Sequence, residues 1–264
     1  MQVRRFDPDF SDLPRWWYQN DPVVTHAVNA LNLIFPDGER FFVRSVRHYQ
    51  SRIQDPELAQ RVRDFMGQES QHGHAHAAQI EVLEAQGFEV ASWLNWYRKL
   101  AFGQIEGWTP YKLRLSITVA MEHLTASFAS FALEKRFLRD AHPGMRDLLL
   151  WHAAEELEHR SVAFEVYRVA GGGYLLRILG LIAALTILSL FWRSATHHLF
   201  AQEPGLDRKR VKERGRTLKA QGRNRSALLS RAIWPYLKVN FHPDKDHDGA
   251  PAVAYLQEIG RLAG

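Results

Sequence analysis

The sequence predicts an all-α protein built on a four-helix bundle, and three observations carry that expectation. Strand-like alternation is scarce, while apolar residues recur at helical spacing over long stretches. Cap-and-proline pairs, Asp55-Pro56 and Thr109-Pro110, mark helix starts. The helices they delimit fall into two antiparallel pairs joined by one long connection, the layout of a ferritin-like bundle.

Taken in order, the first helix begins over 23–35, where "FPDGE" at 35–39 is expected to interrupt or kink it, and resumes through "ERFFVRSVRHYQ". The second runs from Pro56 to Gly87, and the Trp-rich segment 88–108 is the long connection. The third extends from its Thr109 cap to about residue 139, and "DAHPG" turns the chain. The fourth covers about 144–170 and stops at "GGG", residues 171–173. Beyond it come an apolar segment (174–192), a basic run (207–225) and a helix near 226–238. The expected division is a dimetal helical bundle over 1–172. Residues 173–264 then form an apolar helix, a basic arm and a terminal helix packed on or beside it.

Composition narrows the chemistry. A hydrophobic share of 46% and an aromatic share of 12% belong to a chain that folds around a core. With no cysteine, disulfides, thiolate zinc sites, iron–sulfur clusters and a cysteine nucleophile are excluded. The opening residues lack the apolar core of a signal peptide, so the cytoplasm is the expected compartment. Of the net charge of +5, residues 207–225 alone supply nine Lys/Arg against two acids, leaving the rest near −2. No aromatic residue is interleaved there, which argues against nucleic acid and for a solvated arm or one facing anionic lipid.

The chemistry is carried by "QESQH" on the second helix and "ELEH" on the fourth, two Glu-x-x-His repeats. A bundle dimetal centre takes one such repeat from each of two helices and a single Glu from each of the others. Glu69 and His72, and Glu156 and His159, fill the repeats. Glu39 is the sole candidate on the first helix, and Glu122 sits in the otherwise apolar or small "ITVAMEHLTASFASF", where an unpaired acid is costly. Glu39 and Glu69 lie fifteen residues either side of Gln54, and Glu122 and Glu156 are equidistant from residue 139, which puts each pair at one height. His152, four residues before Glu156 on the same face, makes a set of three His and four Glu. His76 extends the second helix's face as a further ligand or as a hydrogen-bond partner of one. Glu155 and Glu158 turn toward other partners, and His74 and His123 point elsewhere.

The run "FPDGERFF…QESQHGHAH…MEH…WHAAEELEH" resembles a family known as predicted metal-dependent hydrolases, across nearly the whole chain. The His-x-x-x-Glu-x-x-His at 152–159 is also similar to that of the di-iron arylamine N-oxygenases. That likeness implies Glu39, Glu69, His72, Glu122, His152, Glu156 and His159 as ligands. Carboxylates with imidazole suit two irons, or manganese. The expected activity is a di-iron oxidase or oxygenase acting with an electron donor. The alternative is a dimetal hydrolase that makes a hydroxide nucleophile from water. Metal storage ranks below both, because a closed shell has no use for the apolar segment and basic arm.

"YLLRILGLIAALTILSLFW" is nineteen residues with Arg177 its single charge. As a helix it spans about 28 Å, close to a bilayer core. It is expected to touch a membrane periphery, to close an apolar tunnel, or to form a homodimer surface. Ala126 and Ala129, beyond Glu122 on its helix, leave room for a lipophilic or aromatic small molecule. "DKDHDG" at 244–249 imitates a calcium loop but has Tyr255 where Glu is required, and is expected to be a turn.

Overall fold

Residues 1–134, 138–220, 225–246 and 249–259 are described in a computed structural model. Among them there are no strands, only an isolated bridge between Tyr18 and Ala141. The helices are α1 (Pro22–Arg47), α2 (Pro56–Ala85), α3 (Ala91–Arg98), α4 (Glu106–Trp108), α5 (Tyr111–Glu134), α6 (Pro143–His159), α7 (Val162–Val169), α8 (Tyr174–Phe200), α9 (Arg208–Ala220), α10 (Arg225–Tyr236), α11 (Pro243–Asp246) and α12 (Ala250–Glu258).

The starts follow local chemistry. Asp21 accepts hydrogen bonds from the backbone N–H groups of Val23 and Val24 ahead of α1, and Asp55 accepts from Glu57 ahead of α2. Each satisfies donors that a first helical turn leaves unpaired, and each is followed by proline at a position where a missing N–H costs nothing. α1 packs on α2, α5 on α6, and α8 lies along both α1 and α5. The core divides along the bundle. One end is built from Phe42, Val46, Phe65, Leu115 and Val166. The other is built from Ala126, Met145, Leu148 and Trp151. The four bundle helices also bury Glu39, Glu69, His72, Glu122, His152, Glu156 and His159.

Two helix expectations need correction. α1 is not interrupted at "FPDGE" and runs unbroken through Pro36. Packing against α2 and α8 offsets the one backbone hydrogen bond that proline forgoes, and Asp37 is anchored by Arg40 at 2.9 Å and Arg98 at 2.7 Å. The fourth helix, expected to be continuous, is divided at Arg160 and Ser161 into α6 and α7. There the Arg160 guanidinium donates to the Leu157 carbonyl, and Arg61 donates to Ser161 Oγ at 2.7 Å. The Arg160 guanidinium thus takes a carbonyl that a continuous helix would pair through its backbone.

The connection 88–108 is itself helical, and Lys99–Ile105 forms a π-helix, a wound-out geometry common at functional sites. The apolar helix extends eight residues past 192, to Phe200. By length and composition it could cross a membrane, yet it buries Arg177, Gly180, Leu181, Ala184 and Phe191 against the protein. Among the described residues no carboxylate pairs with Arg177; it donates to the carbonyls of Tyr236 and Lys238 and stacks on Tyr236 and Phe241. Most of the basic run is α9, and residues 221–224 of it lie outside the described residues. In the calcium-like stretch Asp244 lies in the short α11 and pairs with Arg160 at 3.2 Å, while residues 247 and 248 lie outside the described residues.

Candidate metal centre

Glu39 on α1, Glu69, His72 and His76 on α2, Glu122 on α5, and His152, Glu156 and His159 on α6 are all buried. His159 Nε2 lies 3.3 Å from Glu69 Oε1, 3.4 Å from Glu122 Oε2 and 3.4 Å from Glu156 Oε1. Yet among the described residues Nε2 makes no hydrogen bond, and neither do the carboxylate oxygens of Glu39, Glu69 and Glu122. Atoms held at about 2.1 Å around one cation are separated by about 3.0–3.4 Å, so this spacing fits a shared ion better than mutual hydrogen bonding. A second grouping adjoins it. His152 Nε2 is 2.9 Å from Glu156 Oε1 and 3.8 Å from Glu39 Oε1, and His72 Nδ1, also unpartnered, is 3.9 Å from Glu156 Oε1. Glu156 faces both groupings.

The histidines are oriented from behind. His72 Nε2 donates to Glu155 Oε2 at 3.2 Å, leaving Nδ1 toward the centre. His159 Nδ1 donates to Gln68 Oε1 at 3.2 Å, leaving Nε2 toward it. Such bonds fix the tautomer and raise the basicity of the free nitrogen. His76 Nε2 and His152 Nδ1 are 2.6 Å apart, so His76 stands behind His152, although it also groups with Glu39 and His152.

Several participants carried no signal in the sequence. Arg4 bridges Glu155 at 3.0 Å and Glu158 at 2.7 Å, and Gln68 Nε2 donates to Glu158 at 2.9 Å. Arg4 precedes the first helix and Gln68 is an ordinary polar residue. Thr125 donates to Glu156 Oε2, a contact its place one turn beyond Glu122 could have suggested. Glu155 and Glu158 are ion-paired as expected, while His74 bonds the Ser70 carbonyl and His123 the Ala232 carbonyl.

Electrostatics match a site waiting for positive charge. Burial, with Glu156 nearby, pushes the Glu39 carboxyl well above the usual range. Burial and neighbouring carboxylates do the same to Glu69 and Glu122. Glu156 is the exception: burial would raise it, but His159 and His152 hold it well below that range. Burial, then the neighbouring His152, pushes the His72 and His76 imidazoles well below the usual histidine range. Burial raises Glu155 to about 8, with Arg4 opposing.

The centre opens onto a cavity of about 770 Å³. Glu39, His152 and Glu156 line one part of it, and the walls are otherwise mainly apolar. Phe35 comes from α1, Phe102 from the π-helix, Met121 and Phe128 from α5, and Leu188 and Trp192 from α8. Ala129 lines the cavity; Ala126 is buried and does not.

A family described as predicted metal-dependent hydrolases matches residues 2–248. The chain belongs to that family. Neither the curated proteins nor the solved structures provide a match. Membership makes metal dependence the expectation for the His/Glu groupings, and it supports hydrolysis over the oxygen-activating chemistry that the ligand pattern first suggested.

Proposed function

We propose that the protein is a hydrolase that holds two metal ions in this centre and acts on an apolar small molecule. What carries the reading is the meeting of unpartnered buried carboxylates and imidazoles with a largely apolar cavity at Glu39, His152 and Glu156. Membership of the family supports the hydrolytic class. Glu39, Glu69, His72, Glu122, His152, Glu156 and His159 would hold the ions, with His76 behind His152, and a carboxylate-rich set of this kind suits iron or manganese. Bound there, two metals supply an activated water and a Lewis acid for the bond to be cleaved.

The chain's own residues do the rest. Glu156 stays ionised between His152 and His159 and is pinned by Thr125. Glu155 and Gln68 hold the imidazoles of His72 and His159 in place. The aromatic and aliphatic walls exclude bulk water and take up the apolar part of the substrate, which is where such pockets gain affinity. The test is turnover of an ester series of increasing acyl length by metal-loaded protein. Hydrolysis that improves with apolar length and vanishes with a chelator is expected. A preference for short polar esters, or turnover indifferent to metal, would contradict it.

A second reading, oxidation with dioxygen and an electron donor, would use the same donors, His152, Glu156 and His159 of α6 among them. Oxygen uptake by reduced, iron-loaded protein, without ester turnover, would select it.

A further inference from the structure

A seam of buried polar side chains leaves the centre along the α1–α2 interface, and hydrolysis has no evident use for it except one. On α1 it consists of His26, Asn29 and Asn32, and on α2 of His76 and Gln79, each fully buried. The antiparallel register that levels Glu39 with Glu69 also levels Asn32 with His76 and Asn29 with Gln79, because each pair is centred on residue 54.

The donors and acceptors run one way. His76 Nε2 and His152 Nδ1 are 2.6 Å apart. Gln79 Nε2 donates to Asn29 Oδ1 at 3.3 Å, an orientation fixed by Trp17 Nε1 donating to the same oxygen at 2.9 Å. Asn29 Nδ2 then donates to His26 Nδ1 at 3.3 Å, and His26 Nε2 to Glu203 Oε1 at 2.7 Å. The seam ends at Glu203, itself buried, which also accepts from Arg15, whose side chain is 37% exposed.

One link is missing. Between His76 and Gln79, the atoms His76 Nδ1, Asn32 Nδ2, Asn32 Oδ1 and Gln79 Oε1 are all buried without a hydrogen-bond partner. Pro36, four residues after Asn32, adds a carbonyl at residue 32 that receives no helical N–H. Four orphaned polar atoms on residues that this register brings to neighbouring levels are costly. A water, which takes two to four polar partners, satisfies them together.

We infer that Asn32, His76 and Gln79 bind a water, and that the seam behind them is the water inlet of the centre. The inference rests on the hydrolytic reading: every turnover adds one water across the cleaved bond, its hydroxyl to one fragment and its proton to the other. The cavity that takes the apolar substrate is a poor route for it. The two contacts at Asn29, at 3.3 Å, are the longest hydrogen bonds of the seam, and a water can bridge such groups with little loss.

Two measurements test the inlet, neither relying on turnover. A high-resolution crystal structure is expected to hold an ordered water on Asn32 and Gln79, and a dry gap there would overturn the assignment. In manganese-loaded protein whose cavity is filled with a long-chain alcohol, relaxation of bulk water protons reports exchange of water at the metal by the remaining route. Asn32→Leu is expected to lower that relaxivity several-fold at unchanged manganese content, with Asn32→Ser retaining it. Equal relaxivity in wild type and Asn32→Leu would overturn the inlet. Absent ester turnover with relaxivity that still responds to Asn32→Leu would refute the hydrolytic reading alone.

Discussion

Glu122 offers two buried oxygens without a hydrogen-bond partner, and His159 Nε2 lies between three carboxylates without bonding any. Glu122→Ala and His159→Ala are each expected to abolish occupancy of at least one metal. Glu158→Ala, acting on a carboxylate that pairs with Arg4 outside the donor groupings, should leave both metals bound. Gln68→Leu removes the acceptor behind His159 and should weaken metal binding about 10- to 100-fold, read by chelator competition. The same residues set a pH dependence. Glu39, Glu69 and Glu122 have raised pKa values, so the metal-free centre holds protons that a cation displaces. Metal uptake should therefore release protons and tighten as pH rises. Calorimetry of manganese binding in buffers of different ionisation enthalpy counts them; no release would contradict the assignment. Without metal, these raised carboxyls contribute stability that is fully present below the ordinary Glu range and is lost as pH rises through their folded values. Glu156, shifted downward, contributes in the opposite sense.

At the scale of elements, α5 and α8 shape what reaches the centre. Ala129 lines the cavity beside Phe128, and Ala129→Phe should block turnover of long-chain esters while both metals stay bound and short esters still react. Unchanged turnover of the long esters would place the substrate elsewhere. α8 approaches α5 closely at Gly180, where an added Cβ would stand 2.6 Å from the Ser116 carbonyl oxygen. Gly180→Ala should cost about 1–3 kcal/mol through overpacking, seen as a lower Tm. A Tm equal to that of the wild type would mean that α8 is not seated there. Helix starts were legible because Asp55 before Pro56 leaves few alternatives. The passage through Pro36 was not, because its cost is offset by packing on α2 and α8, which local sequence does not encode. At the break, Ser161 Oγ accepts from Arg61, a hundred residues earlier in the chain and so not readable locally.

In the whole molecule, a group of buried carboxylates and imidazoles sits among three apolar clusters, and its cost follows from that position. Carboxylates and imidazoles in the middle of a bundle destabilise it unless something binds them. The members of the group could be read from spacing because each helix is long and the hairpins fix the level. Arg4, Gln68, Asn32 and Gln79 could not, because their meaning depends on which helix faces them. The class of reaction was the least legible feature, since one donor set serves both hydrolysis and oxidation; the family match supports hydrolysis. The central claim, that this group is a dimetal centre, is tested most directly by elemental analysis of wild type, Glu122→Ala and His159→Ala, each refolded with manganese and freed of loose ions. Two metals per wild-type chain, falling to one or none in each variant with its helical content intact, is the expected result. A wild type that retains no metal, or a metal content that survives both substitutions, would contradict the account.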